Sequence, residues 1–178
     1  MKMLHHTTFK FREELTRRDE QAMKYIVLHH SEVVSRHTVE DVHHWHLKRK
    51  TGDEEWAGIG YHYFIDKEGE IFEGRPVWAV GSHVRGYNSV SVGICYEGDF
   101  NKEQMTVQQE EASIMLIALL SLVYDNAHVV KHSSLGDKNC PGKNFPYSRI
   151  CRKVHTCKGW LKPLFCIADI SMIVDELL

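Results

Sequence analysis

The chain lacks any apolar stretch long enough to cross a bilayer: its longest uncharged apolar run, Ala112 to Tyr124, falls well short of the roughly 20 residues a spanning helix needs. Its first residues, Met1 to Glu20, alternate charged and polar side chains and lack the apolar segment of about 7–15 residues that a secretory signal carries. The expectation is a chain with no Sec signal peptide, cytoplasmic on synthesis, and with no membrane partner. It also lacks an excess of either charge, with 24 acidic against 22 basic residues and a formal charge of −2, which argues against a nucleic acid partner. The five cysteines, Cys95, Cys140, Cys151, Cys157 and Cys166, are odd in number and lack paired zinc-finger spacing, so no disulfide framework is indicated and at least one is free or bound to something. Repeats, low-complexity segments and an interdomain linker are absent too, and 178 residues suit one compact domain.

What is present is an ordinary globular composition, 43% hydrophobic and 26% charged, carrying 13 histidines. So many imidazoles are a first hint of metal or acid–base chemistry. The charged segment Phe9 to Met23 reads as a short leading helix, and Tyr25-Ile-Val-Leu-His29 as a buried strand that delivers His29 and His30 to its end. Thr38 is placed to cap an amphipathic helix over Val39 to Lys50, in which Val39, Val42 and Trp45 recur at helical spacing. Tyr61 to Ile65 and Glu70 to Glu73 flank Asp66-Lys-Glu-Gly69 as a hairpin. A glycine-bearing loop follows from Trp78 to Asn88, then a strand over Ser89 to Tyr96. Thr106 and Gln109 have capping-box spacing before a long helix that is apolar nearly all round and so belongs against a sheet. Val129 and Val130 make a short strand ending at His132, a loop carries Cys140-Pro-Gly, and a last helix starts near Tyr147, with an apolar tail from Leu164 to Leu178 that suits one more. The fold class expected is α/β, a single mixed central sheet flanked by helices.

Imidazole nitrogen and thiolate sulfur both suit zinc, and a catalytic zinc needs only three protein ligands, leaving a position for water whose pKa falls toward about 7. Strand ends and the adjoining loop offer His29 or His30, His132 and Cys140. Strand periodicity does not choose between His29 and His30, because both faces of the preceding strand are apolar. Among 13 histidines and five cysteines such a trio also arises easily by chance. His43 and His46 share a helix face, but no third ligand accompanies them, so solvated or groove-lining roles suit them better.

Four separated segments add context: Tyr25-Ile-Val-Leu-His-His-Ser31; Gly58-Ile-Gly-Tyr-His-Tyr-Phe64; Glu73-Gly-Arg75 with Val80-Gly-Ser-His83 and Gly86-Tyr-Asn88; and Lys131-His132 through Lys138-Asn-Cys-Pro141. In order and spacing the sequence resembles the type 2 amidases, which include amidase-type phage lysozymes, bacterial autolytic amidases and the animal peptidoglycan recognition proteins. The resemblance covers about Lys24 to Lys153. It implies the corresponding fold and hydrolysis of the amide between N-acetylmuramic acid and L-alanine in peptidoglycan, with one zinc ion held by His29, His132 and Cys140. It also implies catalytic roles for Tyr61 and Lys138, which would handle protons and developing charge, and substrate contacts from His83 and Asn88. Residues 24–156 would form the catalytic domain, with an extension at 1–23 and another at 157–178 packed on the same domain. The biological expectation is a phage or prophage endolysin or an autolysin that meets the cell wall after release. The alternatives are a non-catalytic peptidoglycan-binding module of the same fold, a cysteine hydrolase using Cys140 with His132, and a structural zinc site, which needs a fourth protein ligand.

Overall fold

A computed structural model describes residues 4–136 and 139–165. Along the chain come β1 (Leu4–His5), β2 (Tyr25–His30), α1 (Val39–Leu47), β3 (Lys50–Thr51), β4 (Glu54–Glu55), β5 (Tyr63–Ile65), β6 (Ile71–Glu73), β7 (Ser91–Tyr96), α2 (Val107–Val123), β8 (His128–Lys131) and α3 (Tyr147–Phe165). Six strands make one mixed sheet in the order β1-β6-β5-β7-β2-β8; β5 and β6 are antiparallel and the other neighbours parallel. The α/β architecture expected from the sequence is the one observed.

The sheet is covered on both faces, which explains why its central strands are apolar throughout. On one face Ile26, Leu28, Ile65, Ile94 and Tyr96 pack against Leu116, Ile117 and Leu120 of α2 and Ile150 and Val154 of α3. On the other, Phe64 and Cys95 pack with Val39 and Val42 of α1 and with Ile59. Because alternate residues of a strand point to opposite faces, this division separates the two histidines ending β2. His30 follows Ile26 and Leu28 toward α2, and His29 lies on the α1 side beside its register partner Cys95.

Local rules account for the helix boundaries. Thr38 and Asp41 form a capping box at the start of α1, and Thr106 and Gln109 form one at the start of α2. Thr106 Oγ1 also donates to the Lys67 carbonyl (2.8 Å), so the cap ties α2 to the β5–β6 hairpin. Thr106→Ala is expected to lower stability by about 1 kcal/mol in urea denaturation, with an unchanged m-value. Glu110 of α2 receives Arg149 (2.8 Å to Oε2) and Lys153 (2.8 Å to Oε1), clamping α3 onto α2.

Two expectations need correction. Phe9 to Met23 is not a helix: apart from a one-turn 3-10 segment at Glu20–Ala22 the chain is irregular, because its backbone groups find partners elsewhere. Arg12 N donates to Ala57 O (2.9 Å), Arg18 N to Trp78 O (3.0 Å), and Val80 N to Thr16 O (2.8 Å). The helix predicted to reach Lys50 stops at Leu47, and a small antiparallel pair, β3 and β4, turns around Gly52. The apolar tail beyond Phe165 lies outside the described residues.

Candidate active site

The strands β7, β2 and β8 run parallel, so their C-terminal ends open at one edge of the sheet, where α/β proteins usually place ligands. His29 stands at the end of β2, and β8 leads directly into a 3-10 turn at His132–Ser134. The loop returning from that turn is fastened to it, since Ser133 N donates to the Cys140 carbonyl (2.9 Å). The Cys140 sulfur accepts from His30 N (3.4 Å), which draws it to the end of β2. As a result, one ligand-type atom from each of His29, His132 and Cys140 lies within 4.8 Å of the other two. Among the described residues no other group of three or more histidine, cysteine or carboxylate side chains is close enough to share an ion.

Cys140 Sγ is 3.8 Å from His29 Nδ1, and the His29 and His132 ring centroids are 4.6 Å apart. A tetrahedral zinc with bonds of about 2.0–2.3 Å spaces its ligand atoms roughly 3.3–3.8 Å apart, so the trio fits such an ion with small adjustments. Burial, with the neighbouring His83 and His132 imidazoles, holds the His29 pKa well below its usual value, leaving the ring neutral and able to donate a lone pair.

These residues floor a groove of about 940 Å³ that also has Tyr61, Trp56 and the segment Glu13 to Thr16 on its walls. Tyr61 is delivered by a stretch whose backbone is held by side chains. His43 Nδ1 accepts from Ile59 N (3.2 Å), His46 Nδ1 accepts from Gly60 N (3.0 Å), and Arg75 Nε donates to Ile59 O (3.0 Å). Burial, together with the nearby Cys95 and Cys140 sulfurs, keeps the Tyr61 pKa well above that of a free phenol. Tyr61 is therefore a neutral hydrogen-bond donor at working pH. His83 and Asn88 border the same groove. Asn88 Oδ1 accepts from His83 N (2.9 Å) and Val84 N (2.8 Å), closing the turn between them. Lys138 lies outside the described residues.

The same geometry explains the histidine abundance. His30, His43, His46 and His62 each accept a backbone N–H at Nδ1, from Phe100, Ile59, Gly60 and Gly93 respectively. Four imidazoles thus act as rivets of the scaffold. The sequence favours a packing role for His30, as observed, but the solvated or groove-lining roles expected of His43 and His46 need correction, since both are buried in the scaffold and neither lines the groove. The wall formed by Glu13 to Thr16 is not legible in the sequence.

Residues 18–143 match the family described as N-acetylmuramoyl-L-alanine amidase. The endolysin of Klebsiella phage KP32 is 30% identical over 133 residues, covering 72% of this chain and 85% of that protein. The endolysin of Escherichia phage T7 is 31% identical over 109 residues, 58% of this chain and 68% of that protein. Among solved structures, the N-acetylmuramoyl-L-alanine amidase LysC from Clostridium intestinale URNW superposes with a TM-score of 0.74 at 32% identity, covering 85% of this chain and 97% of that chain. Bumblebee PGRP-SA shares the fold at a TM-score of 0.68 and 21% identity, covering 82% of this chain and 92% of that chain. The chain belongs to the type 2 N-acetylmuramoyl-L-alanine amidase family.

Proposed function

We propose that this chain hydrolyses the amide bond between N-acetylmuramic acid and L-alanine in bacterial peptidoglycan, using one zinc ion held by His29, His132 and Cys140. The observation that carries the reading is the meeting of two imidazoles and a thiol on the floor of an open groove. Family membership and the amidase and endolysin relatives supply the substrate class. A structural zinc would take a fourth protein ligand, and the trio has none of histidine, cysteine or carboxylate type among the described residues.

When bound, zinc supplies a Lewis acid and a water of pKa near about 7. The thiolate of Cys140 offsets half of the ion's charge, which makes additional help from the protein chemically useful. Tyr61, kept neutral by burial, donates a hydrogen bond to the oxygen on which negative charge develops. Lys138, which lies outside the described residues, is assigned by the sequence resemblance alone to offset the same negative charge. The groove orients the glycan and stem peptide so that the scissile carbonyl meets these groups. Tyr61→Phe is expected to lower kcat by about 10²-fold with zinc content unchanged, because it removes a donor and leaves the three ligands in place. Loss of zinc together with turnover in that variant would instead make Tyr61 a support of the metal site.

Release from the producing cell before attack on the wall, as an endolysin, is the biological role we propose. Peptidoglycan recognition proteins among the relatives favour a second reading, a module that binds cell wall without cutting it. Digestion of purified cell walls separates the two. New amino-terminal alanine without new reducing sugars is the amidase result. Binding without new amino termini marks the receptor, and new reducing ends mark a glycosidase.

A further inference from the structure

Behind His29, on the side away from Cys140, a second imidazole is built into the fold. His29 presents Nδ1 to the Cys140 sulfur at 3.8 Å and Nε2 to His83 Nδ1 at 3.0 Å, with the two rings nearly perpendicular at 88°. The second His83 nitrogen, Nε2, faces Ser91 Oγ at 3.4 Å, and Ser91 Oγ donates to the Tyr87 carbonyl at 2.7 Å. The polarity of this chain is fixed from both ends. If Nδ1 of His29 keeps its lone pair for an ion, the ring proton sits on Nε2 and donates to His83, whose own proton then sits on Nε2 toward Ser91.

The loop around His83 is shaped to hold an imidazole. A Cβ on Gly81 would lie 2.6 Å from His83 Cδ2, and one on Gly93 would lie 2.7 Å from His83 Cγ. Any larger residue at either position would enter the space the ring occupies. Asn88 fixes the His83 backbone from the other side through its 2.9 Å bond to His83 N. At 9% exposed, His83 lines the groove with little of its surface open to it, and its ring contacts His29, His62 and Ser91.

We infer that His83 is a positioning residue that accepts the Nε2 proton of His29 and so fixes both the tautomer and the ring orientation in which Nδ1 faces the metal position. The inference rests on the zinc reading above. Outer partners of ligating histidines characteristically contribute 10–100-fold to metal affinity, and that is the size of effect expected here.

The test is zinc affinity of the full chain by competition with a chromophoric chelator, comparing wild type, His83→Leu and His83→Gln. Leucine fills much of the space without an acceptor, whereas the glutamine carbonyl can still accept from His29. His83→Leu is expected to bind zinc about 10–100-fold more weakly, with His83→Gln recovering most of the loss. Equal affinity in wild type and His83→Leu, or equal weakening in both variants, overturns the positioning role. If neither variant folds, nitrogen-15 NMR of the zinc-loaded wild type decides. A His29 ring protonated on Nε2 and hydrogen-bonded supports the inference, and one protonated on Nδ1 overturns it. A wild type that binds no zinc at all fails the metal reading itself, an outcome distinct from either.

Discussion

Cys140→Ser is expected to lower amidase turnover by more than about 10²-fold and to remove the zinc. Even an outer partner of a ligand contributes 10–100-fold to metal affinity or activity, and Cys140 stands in the trio itself, its sulfur 3.8 Å from His29 Nδ1. A serine hydroxyl is a poor substitute for a thiolate, being neither anionic at working pH nor soft. The variant should still fold, because α2 and α3 pack over the apolar face opposite the site. A thiol nucleophile would also fail on this substitution, so the measurement pairs activity with metal content and with a chelator. A cysteine hydrolase would keep working in chelator, while the amidase proposed here would stop and recover when zinc is returned. Full activity of Cys140→Ser with its zinc retained would remove Cys140 from the ligand set.

The second large effect is acid sensitivity of the fold. His46 accepts the Gly60 N–H at Nδ1, and burial, reinforced by Arg49 and Arg75, lowers its pKa to about 3. His62 accepts the Gly93 N–H, and its burial holds its pKa well below the usual 6.5. A group depressed in this way contributes stability that is complete above its unfolded pKa and is lost as pH falls toward the folded value. Below 6.5 the unfolded chain binds a proton that the folded chain refuses. For His46 alone the loss between pH 7 and pH 5 is about 2 kcal/mol, and His62 adds in the same direction. Against a typical total of about 5–15 kcal/mol this is substantial. Urea denaturation of zinc-free protein at both pH values measures it without interference from metal release. His46→Gln, whose side-chain oxygen still accepts from Gly60 but does not titrate, should lose about 2 kcal/mol less on acidification. Identical pH dependence in the two proteins would contradict this account of the histidines.

How much of this was legible in the sequence varies with the range of the interaction that decides it. The Thr38 cap and the Thr106–Gln109 capping box were readable because they join residues three apart, and the β5–β6 hairpin because its turn sits within Asp66 to Gly69. The segment Phe9 to Met23 was misread because its backbone partners, Ala57 and Trp78 to Val80, lie tens of residues away, and local pattern carries no trace of them. The choice between His29 and His30 follows the same logic. Parity along β2 decides it, but parity has meaning only once α1 and α2 are known to cover opposite faces. His43 and His46 read as solvated or groove-lining for a similar reason: the backbone N–H groups they accept, at Ile59 and Gly60, lie more than ten residues away, and helix pattern carries no trace of them. At the site itself, the motif marks His83 as a groove residue, and the coordinates keep it on the groove while also turning its Nδ1 toward His29.

The central claim is that three side chains distant in sequence hold one zinc ion on which turnover depends. Elemental analysis of the purified chain, run beside a cell-wall digestion assay, tests it most directly. The account predicts one zinc per chain, with chelation removing metal and activity together and added zinc restoring both. Undiminished release of amino-terminal alanine by the metal-free chain would contradict it.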